Sequence, residues 1–202
     1  MKRKIWLLLS RTVARIFRSR GYVLFERSCA DGVFPDPVAG DTYLVLRYDN
    51  LAQNEVICTA LLAMNESNAE YLEGVRQRYI IGFVVMRNEK LVHASYLFIK
   101  NKTACILGLQ PGTGLIGNDF TLPEYRGRGY QAQSVMARAA LAYDSGFKYV
   151  VAETSLDNIA SQRGLQKGGM HLIGRMDLVV ILNILVLRWR RPPGFALIGI
   201  CI

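Results

Sequence analysis

Apolar and polar positions repeat along the chain with spacings that predict a mixture of helices and strands. Residues 2–19 place apolar side chains on one side of a helix and arginines on the other, which predicts an amphipathic helix. Runs of β-branched and aromatic residues predict strands at residues 22–27 and 42–48, separated by a loop of turn-forming residues at 31–37.

The rest of the chain falls into two parts with different element orders. Two helices and three strands come first, and a strand–helix–strand–helix unit with two closing strands follows. This order predicts a mixed, mostly antiparallel α/β sheet with flanking helices. The first part has helices at 51–64 and 69–78 and strands at 80–86, 91–100 and 104–109. The second part has strands at 115–122, 149–153, 171–180 and 184–189 and helices at 129–145 and 157–167.

The chain of 202 residues carries a net charge of +9, but its basic excess is confined to the two ends. Residues 1–20 hold seven lysines and arginines and no acid, and Arg188, Arg190 and Arg191 lie near the other end. The remaining residues are close to neutral. A duplex-binding face needs a basic stripe across the folded surface, so the charge argues against a nucleic-acid partner.

The basic amphipathic helix at residues 1–20 allows two interpretations. It either contacts the inner face of a membrane peripherally or packs on its own domain or on a partner subunit. Its apolar run is too short for a signal peptide, and no later stretch reaches the ~20 apolar residues of a membrane span. We therefore expect a cytoplasmic protein with a main domain at residues 21–191 and an apolar tail at 192–202.

The tail at residues 192–202 is uncharged and mostly apolar, so we expect another part of the protein to shield it from water. Three arrangements would satisfy it: an additional edge strand, a cover over the sheet, or pairing across a homodimer.

The four cysteines are far apart, and no pair has CxxC spacing. With only two histidines in the chain, this predicts no metal site and four reduced thiols in a cytosolic protein. The cysteines are Cys29, Cys58, Cys105 and Cys201.

The segment Arg126-Gly127-Arg128-Gly129 joins a predicted strand to a predicted helix and has the chemistry of an anion site. Its glycines permit a tight turn, the N–H groups and dipole of the helix start attract phosphate, and its arginines add positive charge. Residues 127–132 also fit the dinucleotide pattern GxGxxG/A, with Glu153 about twenty residues on. A basic, glycine-rich turn also occurs in solvated loops and in RNA-contacting patches.

A second segment, residues 158–170, follows the loop and changes its interpretation. Together the two segments resemble the GNAT superfamily of N-acetyltransferases, whose first motif is Arg/Gln-x-x-Gly-x-Gly/Ala. A dinucleotide-binding fold would not require the second segment. The matching residues are Arg126 and Gly129 in the first motif and Asn158, Ser161, Lys167 and Gly169 in the second.

The resemblance implies that acetyl-CoA, or another acyl-CoA, is the co-substrate and that no metal takes part. The strand at 115–122 would offer backbone groups to the pantetheine arm, and the N–H groups of residues 127–131 would hold the pyrophosphate. An amine would attack the thioester directly. The implied coenzyme-binding residues are Phe120, Leu122, Arg126, Gly127, Arg128, Gly129, Tyr130, Gln131 and Asn158.

Two residues depart from the family pattern. Gln131 stands where a small residue is usual, and it either donates a hydrogen bond to phosphate or crowds the loop. Leu165 replaces the tyrosine that often protonates the leaving thiolate, and leucine cannot donate a proton. Another group would then supply the proton, or the thiolate, with a pKa of roughly 8.5, would leave unprotonated.

Three residues are candidates for the base that removes a proton from the amine. Asp119 lies on the strand before the loop, Glu153 ends the following strand, and His93 lies on a hairpin strand. Each carboxylate could instead have a structural role, capping a helix or pairing with a nearby arginine. His93 could instead be a half-buried histidine whose hydrogen bonds are satisfied within the fold.

The sequence thus predicts an acyl-CoA-dependent N-acyltransferase acting on a small-molecule amine. If the basic helix binds lipid, the acceptor would be an amino sugar or a precursor of a surface polysaccharide. The alternative function is a non-catalytic acyl-CoA-binding regulatory module, which the absence of the usual tyrosine allows.

Overall fold

A nine-stranded sheet with helices on both faces forms the centre of the protein, in a computed structural model that describes residues 17–30 and 32–201. Each pair of neighbouring strands is antiparallel except β5 and β6, which run parallel. The order across the sheet is β2-β3-β4-β5-β6-β1-β7-β8-β9. The strands are β1 Phe17–Ser28, β2 Asp41–Leu46, β3 Ile80–Arg87, β4 Lys90–Phe98, β5 Thr113–Thr121, β6 Tyr149–Thr154, β7 His171–Ile181, β8 Leu185–Arg190 and β9 Ile198–Ile200.

Five α-helices of the described ranges cover the two faces of the sheet. The first three pack on one face and the last two on the other, so that separate apolar cores form on each side. No helix in these ranges is long and apolar enough to span a bilayer. The helices are α1 Glu55–Met64, α2 Asn68–Arg76, α3 Lys102–Leu107, α4 Tyr130–Asp144 and α5 Ile159–Lys167.

Strand β1 lies inside the sheet, between β6 and β7. Leu24 and Phe25 are both buried although they point to opposite faces, as expected for a strand covered on both sides. The helix predicted over residues 2–19 is wrong for residues 17–19, because these extend β1 and pair with β7. The domain boundary predicted at residue 20 therefore falls within a strand, and the rest of the predicted helix lies outside the described residues.

The strand predicted at 104–109 is the short helix α3. The side chain of Asn101 caps its start by accepting a hydrogen bond from the backbone N–H of Thr103 at 2.5 Å. Gly108 ends the helix in the left-handed conformation, with φ of 76°. The apolar residues between these two capping residues gave a pattern that suits a strand or a buried helix equally.

The apolar tail forms the edge strand β9, which pairs with β8, so the first of the three predicted arrangements is confirmed. Cys201 of the tail is joined by a disulfide to Cys105 of α3, and Cys29 and Cys58 are free. The prediction of four reduced thiols was therefore wrong. The β8–β9 hairpin returns the tail to α3, bringing together cysteines that are 96 positions apart in sequence.

Arg188 on β8 reinforces the same junction between α3 and the tail. Its buried guanidinium donates hydrogen bonds to the carbonyl oxygens of Cys105 and Ile106 at 2.8 Å each, and of Ala196 at 3.1 Å. A cation at the carbonyl end of a helix is favourable, since that end carries partial negative charge.

Candidate functional site

A cleft opens between β5 and β6, where the two parallel strands separate. Their pairing ends at Ile116 and Ala152. Beyond that point Asn118 and Asp119 both lie opposite Ser95 of β4, because Ala94 pairs with Phe120 while Tyr96 pairs with Gly117. This two-against-one arrangement is a β-bulge, with Asn118 at a φ of 55°. The bulge bends β5 at the point where it leaves β6.

The glycine-rich loop lies between the open end of β5 and the start of α4. Gly127 and Gly129 have φ of 78° and 84°, a region that strongly favours glycine. A Cβ built at either residue would meet no atom within 4 Å, so the backbone borders open space. The first N–H groups of α4 have no partner within the helix and are available to an anion.

These elements enclose a cavity of about 980 Å³. One wall carries the positively charged side chains of Arg126, Arg128, Arg163 and Lys167. Groups from the opposite face of the sheet also line it, among them Glu70, Tyr71, Phe98, Asn101 and Thr103. The cavity therefore has a basic part at the loop and a second part that contains the Glu70 carboxylate and the rings of Tyr71 and Phe98.

Solved structures share the fold of this chain. A protein of the GNAT family from Novosphingobium aromaticivorans matches 80% of the chain with a TM-score of 0.53 and 18% identity. A GCN5-related N-acetyltransferase from Kribbella flavida matches 93% with a TM-score of 0.55 and 15% identity. The chain has the GNAT fold. The resemblance seen in the sequence is thus confirmed at the level of the fold.

A third solved structure with the GNAT fold is an aminoglycoside N-acetyltransferase in complex with CoA. It is 17% identical, has a TM-score of 0.50, and matches 64% of this chain and 91% of its own. The chain spans only 63% and 64% of the first two structures. No protein-family model and no curated protein matches the sequence.

Asp119, one of the predicted bases, is held by Arg138 of α4. The carboxylate accepts a hydrogen bond from Nη2 of the fully buried guanidinium at 2.6 Å. The same guanidinium also donates to the carbonyl oxygens of Tyr96, Gly117 and Ser134 at 3.1–3.2 Å. Asp119 therefore balances a buried charge that holds the bulge of β5, which is the structural alternative predicted for it, pairing with an arginine.

Arg138 was missed by sequence reasoning, although the sequence contains a signal for it. The residue lies between Ala137 and Ala139 in an alanine-rich helix, three positions after the apolar Val135. An arginine on the core-facing side of a helix needs a carboxylate or several carbonyl partners.

His93 lies behind the cleft and does not line the cavity. Its ring is fully buried, with Nδ1 2.8 Å from the Thr121 hydroxyl and Nε2 3.9 Å from the Asp119 carboxylate. Burial lowers the pKa of His93 to about 4, against the opposing effect of Asp119, so the imidazole is neutral at neutral pH.

Glu153 lines the cavity at the open end of β6. Burial raises the pKa of its carboxyl group, and the nearby Arg20 opposes that shift. No hydrogen bond or ion pair holds this carboxylate within the described part of the chain. A desolvated carboxylate beside a cleft has the surroundings expected of a general base.

Most of the predicted coenzyme-binding residues line the cavity: Phe120, Arg126, Gly127, Arg128, Gly129, Tyr130, Gln131 and Asn158. Leu122 does not line the cavity, and its N–H donates to the Val92 carbonyl of β4 at 3.0 Å. Asn158 caps α5, its side chain accepting from the N–H of Ser161 at 3.1 Å. Within the described ranges, no group of histidine, cysteine and acidic side chains is arranged to hold a metal ion.

The two departures from the family motif have distinct surroundings. The Gln131 side chain donates to the Ser161 hydroxyl at 3.1 Å and so joins α4 to α5. Leu165 is 2% exposed and packs in the core beneath α4 and α5.

Proposed function

We propose that the protein is an acyl-CoA-dependent N-acyltransferase. The observation that carries this proposal is the junction of three elements: strands that separate, a glycine loop open to the cavity, and the start of α4. The gap between the strands suits the pantetheine arm, and the loop and helix start suit a pyrophosphate. The positively charged side chains are gathered on this wall of the cavity, where the coenzyme phosphates would lie.

The acyl transfer that we propose is direct. The nitrogen of a neutral amine attacks the thioester carbonyl, the carbon–sulfur bond breaks, and an amide and the coenzyme A thiolate are formed. Glu153 takes the amine proton, directly or through a water molecule. The bulge releases backbone N–H groups of β5 from the β4 ladder, and these would stabilise the oxyanion.

The acceptor that we propose is an amine that is cationic in solution, such as an amino sugar. Two carboxylates, Glu70 and Glu153, line the cavity away from the basic wall and would attract a cation. Asn101 and Thr103 add polar groups that suit hydroxyls, and Tyr71 and Phe98 add aromatic surface. Acetyl-CoA is the simplest donor.

Isothermal titration with acetyl-CoA, followed by thiol release over a panel of amines, tests the function. We expect binding, and turnover with cationic amines that include amino sugars. Binding without turnover on any amine would favour a regulatory acyl-CoA-binding module, and absence of binding would refute the proposal.

Replacing Gly129 with valine tests the role of the loop. The side chain would enter the space of the pyrophosphate, so we expect affinity for coenzyme A to fall at least about tenfold, which corresponds to about 1.4 kcal/mol.

The matched control for that substitution is Gly146→Val. Gly146 follows the other end of α4 and has the same φ of 84° and the same open surroundings, but it lies outside the cavity. Both variants carry the same backbone strain, of order 1–3 kcal/mol. If both variants lose the same amount of affinity for coenzyme A relative to the unaltered protein, then backbone strain causes the loss and the proposed role of the loop is contradicted.

A further inference from the structure

Helices α4 and α5 are joined beside the cleft by the side chain of Gln131. Its amide nitrogen donates to the Ser161 hydroxyl at 3.1 Å, and both residues line the cavity. Ser161 lies in the first turn of α5, whose start is capped by Asn158. The bond therefore connects the first turn of α4, which follows the glycine loop, to the first turn of α5.

Gly164 of α5 provides the space that the Gln131 side chain fills. A Cβ at Gly164 would overlap Oε1 of Gln131 and would lie 2.6 Å from its Cδ. Gly164 has an ordinary helical φ, so its backbone does not require glycine. Glycine inside a helix costs about 1 kcal/mol relative to alanine. At this position glycine leaves the space that the glutamine amide occupies.

The position of α5 determines where two positive charges lie. Arg163 and Lys167 flank Gly164 on this helix and line the cavity, facing the compartment that the glycine loop borders. Attraction between a cation and a phosphate weakens with distance and with exposure to solvent. A small shift of α5 relative to α4 would therefore change the attraction for an anionic ligand.

We propose that Gln131 and Gly164 form an interlock that sets the spacing of α4 and α5 beside the coenzyme cleft. The large residue on α4 is matched by the missing side chain on α5, and the hydrogen bond to Ser161 fixes their separation. Gln131 is thus a positioning residue, which acts on the coenzyme phosphates through Arg163 and Lys167. This inference rests on the proposed acyl-CoA function.

A double-mutant cycle with Gln131→Ala, Gly164→Ala and the double variant tests the interlock. Dissociation constants are measured for coenzyme A and for pantetheine, which has no phosphate. We expect Gly164→Ala to weaken coenzyme A binding about threefold, because the new methyl group displaces the flexible end of the Gln131 side chain from Ser161, and Gln131→Ala to weaken it by a similar factor. The double variant should be no weaker than either single variant, because both substitutions remove the same contact. Pantetheine affinity should change less than twofold, to judge from its lack of phosphate charge.

Three results would overturn the interlock: unchanged coenzyme A affinity in both single variants, a double variant whose loss is the product of the two single losses, or equal losses for pantetheine. Gln131→Ala keeps the test valid if Gly164→Ala does not fold, because it removes atoms and cannot overpack. If the unaltered protein does not bind coenzyme A, the proposed function fails, and this outcome is distinct from failure of the interlock alone.

Gln133→Ala is the matched control. Gln133 lies on the same helix, accepts a hydrogen bond from the Tyr43 hydroxyl, and lies outside the cavity. This variant should lower the thermal midpoint and leave coenzyme A affinity unchanged. A loss of affinity equal to that of Gln131→Ala would mean that general destabilisation of α4 explains both.

Discussion

Glu153 and Asp119 lie at the open ends of neighbouring strands, but their surroundings give them different chemistry. Asp119 is bound to Arg138, whereas Glu153 is desolvated and has a raised pKa. The sequence placed both carboxylates beside the cleft because Asp119 lies on the predicted strand before the loop and Glu153 ends the following strand. It did not distinguish their roles, because the arginine that binds Asp119 comes from the core-facing side of α4, and which side of a helix faces the core at that point depends on how the helix packs.

The loop was the part of the site that could be predicted most fully. Its conformation follows from local chemistry, since Gly127 and Gly129 adopt positive φ and a helix follows at once. The compartment across the sheet could not be predicted in this way. Glu70 and Tyr71 come from α2 and Asn101 from the start of α3, and only the packing of these two helices brings them to one cavity.

Substitution of Glu153 with glutamine tests its assignment as the base. A base acts in its deprotonated form, so activity should rise with pH through the pKa of Glu153. Because burial raises this pKa, the rise should lie above the ordinary value of 4.5. In Glu153→Gln we expect kcat to fall by about 10²–10⁴ and the rise to disappear. The measurement is a pH–rate profile with the best amine of the panel.

Glu124→Gln is the control for that profile, because Glu124 is exposed, binds Lys90 at 2.8 Å and lies outside the cavity. It should retain the profile of the unaltered protein. If Glu153→Gln keeps both its rate and its rising limb, then another group takes the proton.

At the scale of elements, the strongly patterned helices and strands were predicted well, and the short apolar segments were not. Helix α4 was expected at 129–145 and is found at Tyr130–Asp144. Helix α3 was expected as a strand, since six residues are too few to show a period. What fixes α3 in place is tertiary: the Arg188 guanidinium at its end and the disulfide to the tail.

The disulfide predicts a stability that depends on redox conditions. Reduction of Cys105–Cys201 reopens a loop of 96 positions and should lower the free energy of unfolding by about 2–4 kcal/mol. Denaturant unfolding with and without dithiothreitol measures this. Cys105→Ser should reproduce the reduced protein, and Cys58→Ser, which alters a free thiol, should not. An unchanged midpoint in reductant would show that the tail is held without the bond.

At the scale of the whole molecule, the mixed sheet was predicted from the order of elements, but the place of β1 was not. The pattern of residues 22–27 predicts a strand, but it does not predict which strands lie on either side of it. Both neighbours, β6 and β7, come from the second half of the chain. This pairing brings Leu24 opposite Glu153 and so supports the strand that carries the proposed base.

Truncation of Leu24 tests how much the sheet depends on β1. Leu24 is completely buried, so Leu24→Ala should lower the free energy of unfolding by about 2–5 kcal/mol. Leu172→Ala on the adjacent β7 is the control, because that leucine is 55% exposed and should change stability by less than about 0.5 kcal/mol. Equal effects in denaturant unfolding would contradict a central role for β1.

The position of β1 also constrains how the protein is made. β1 leaves the ribosome long before β6 and β7, so this strand has no partners while the intervening chain is synthesised. During that interval the half-built sheet has an unpaired edge, which invites aggregation. The nascent chain should therefore depend on chaperones, and the cleft should acquire its final shape only after β7 has been synthesised.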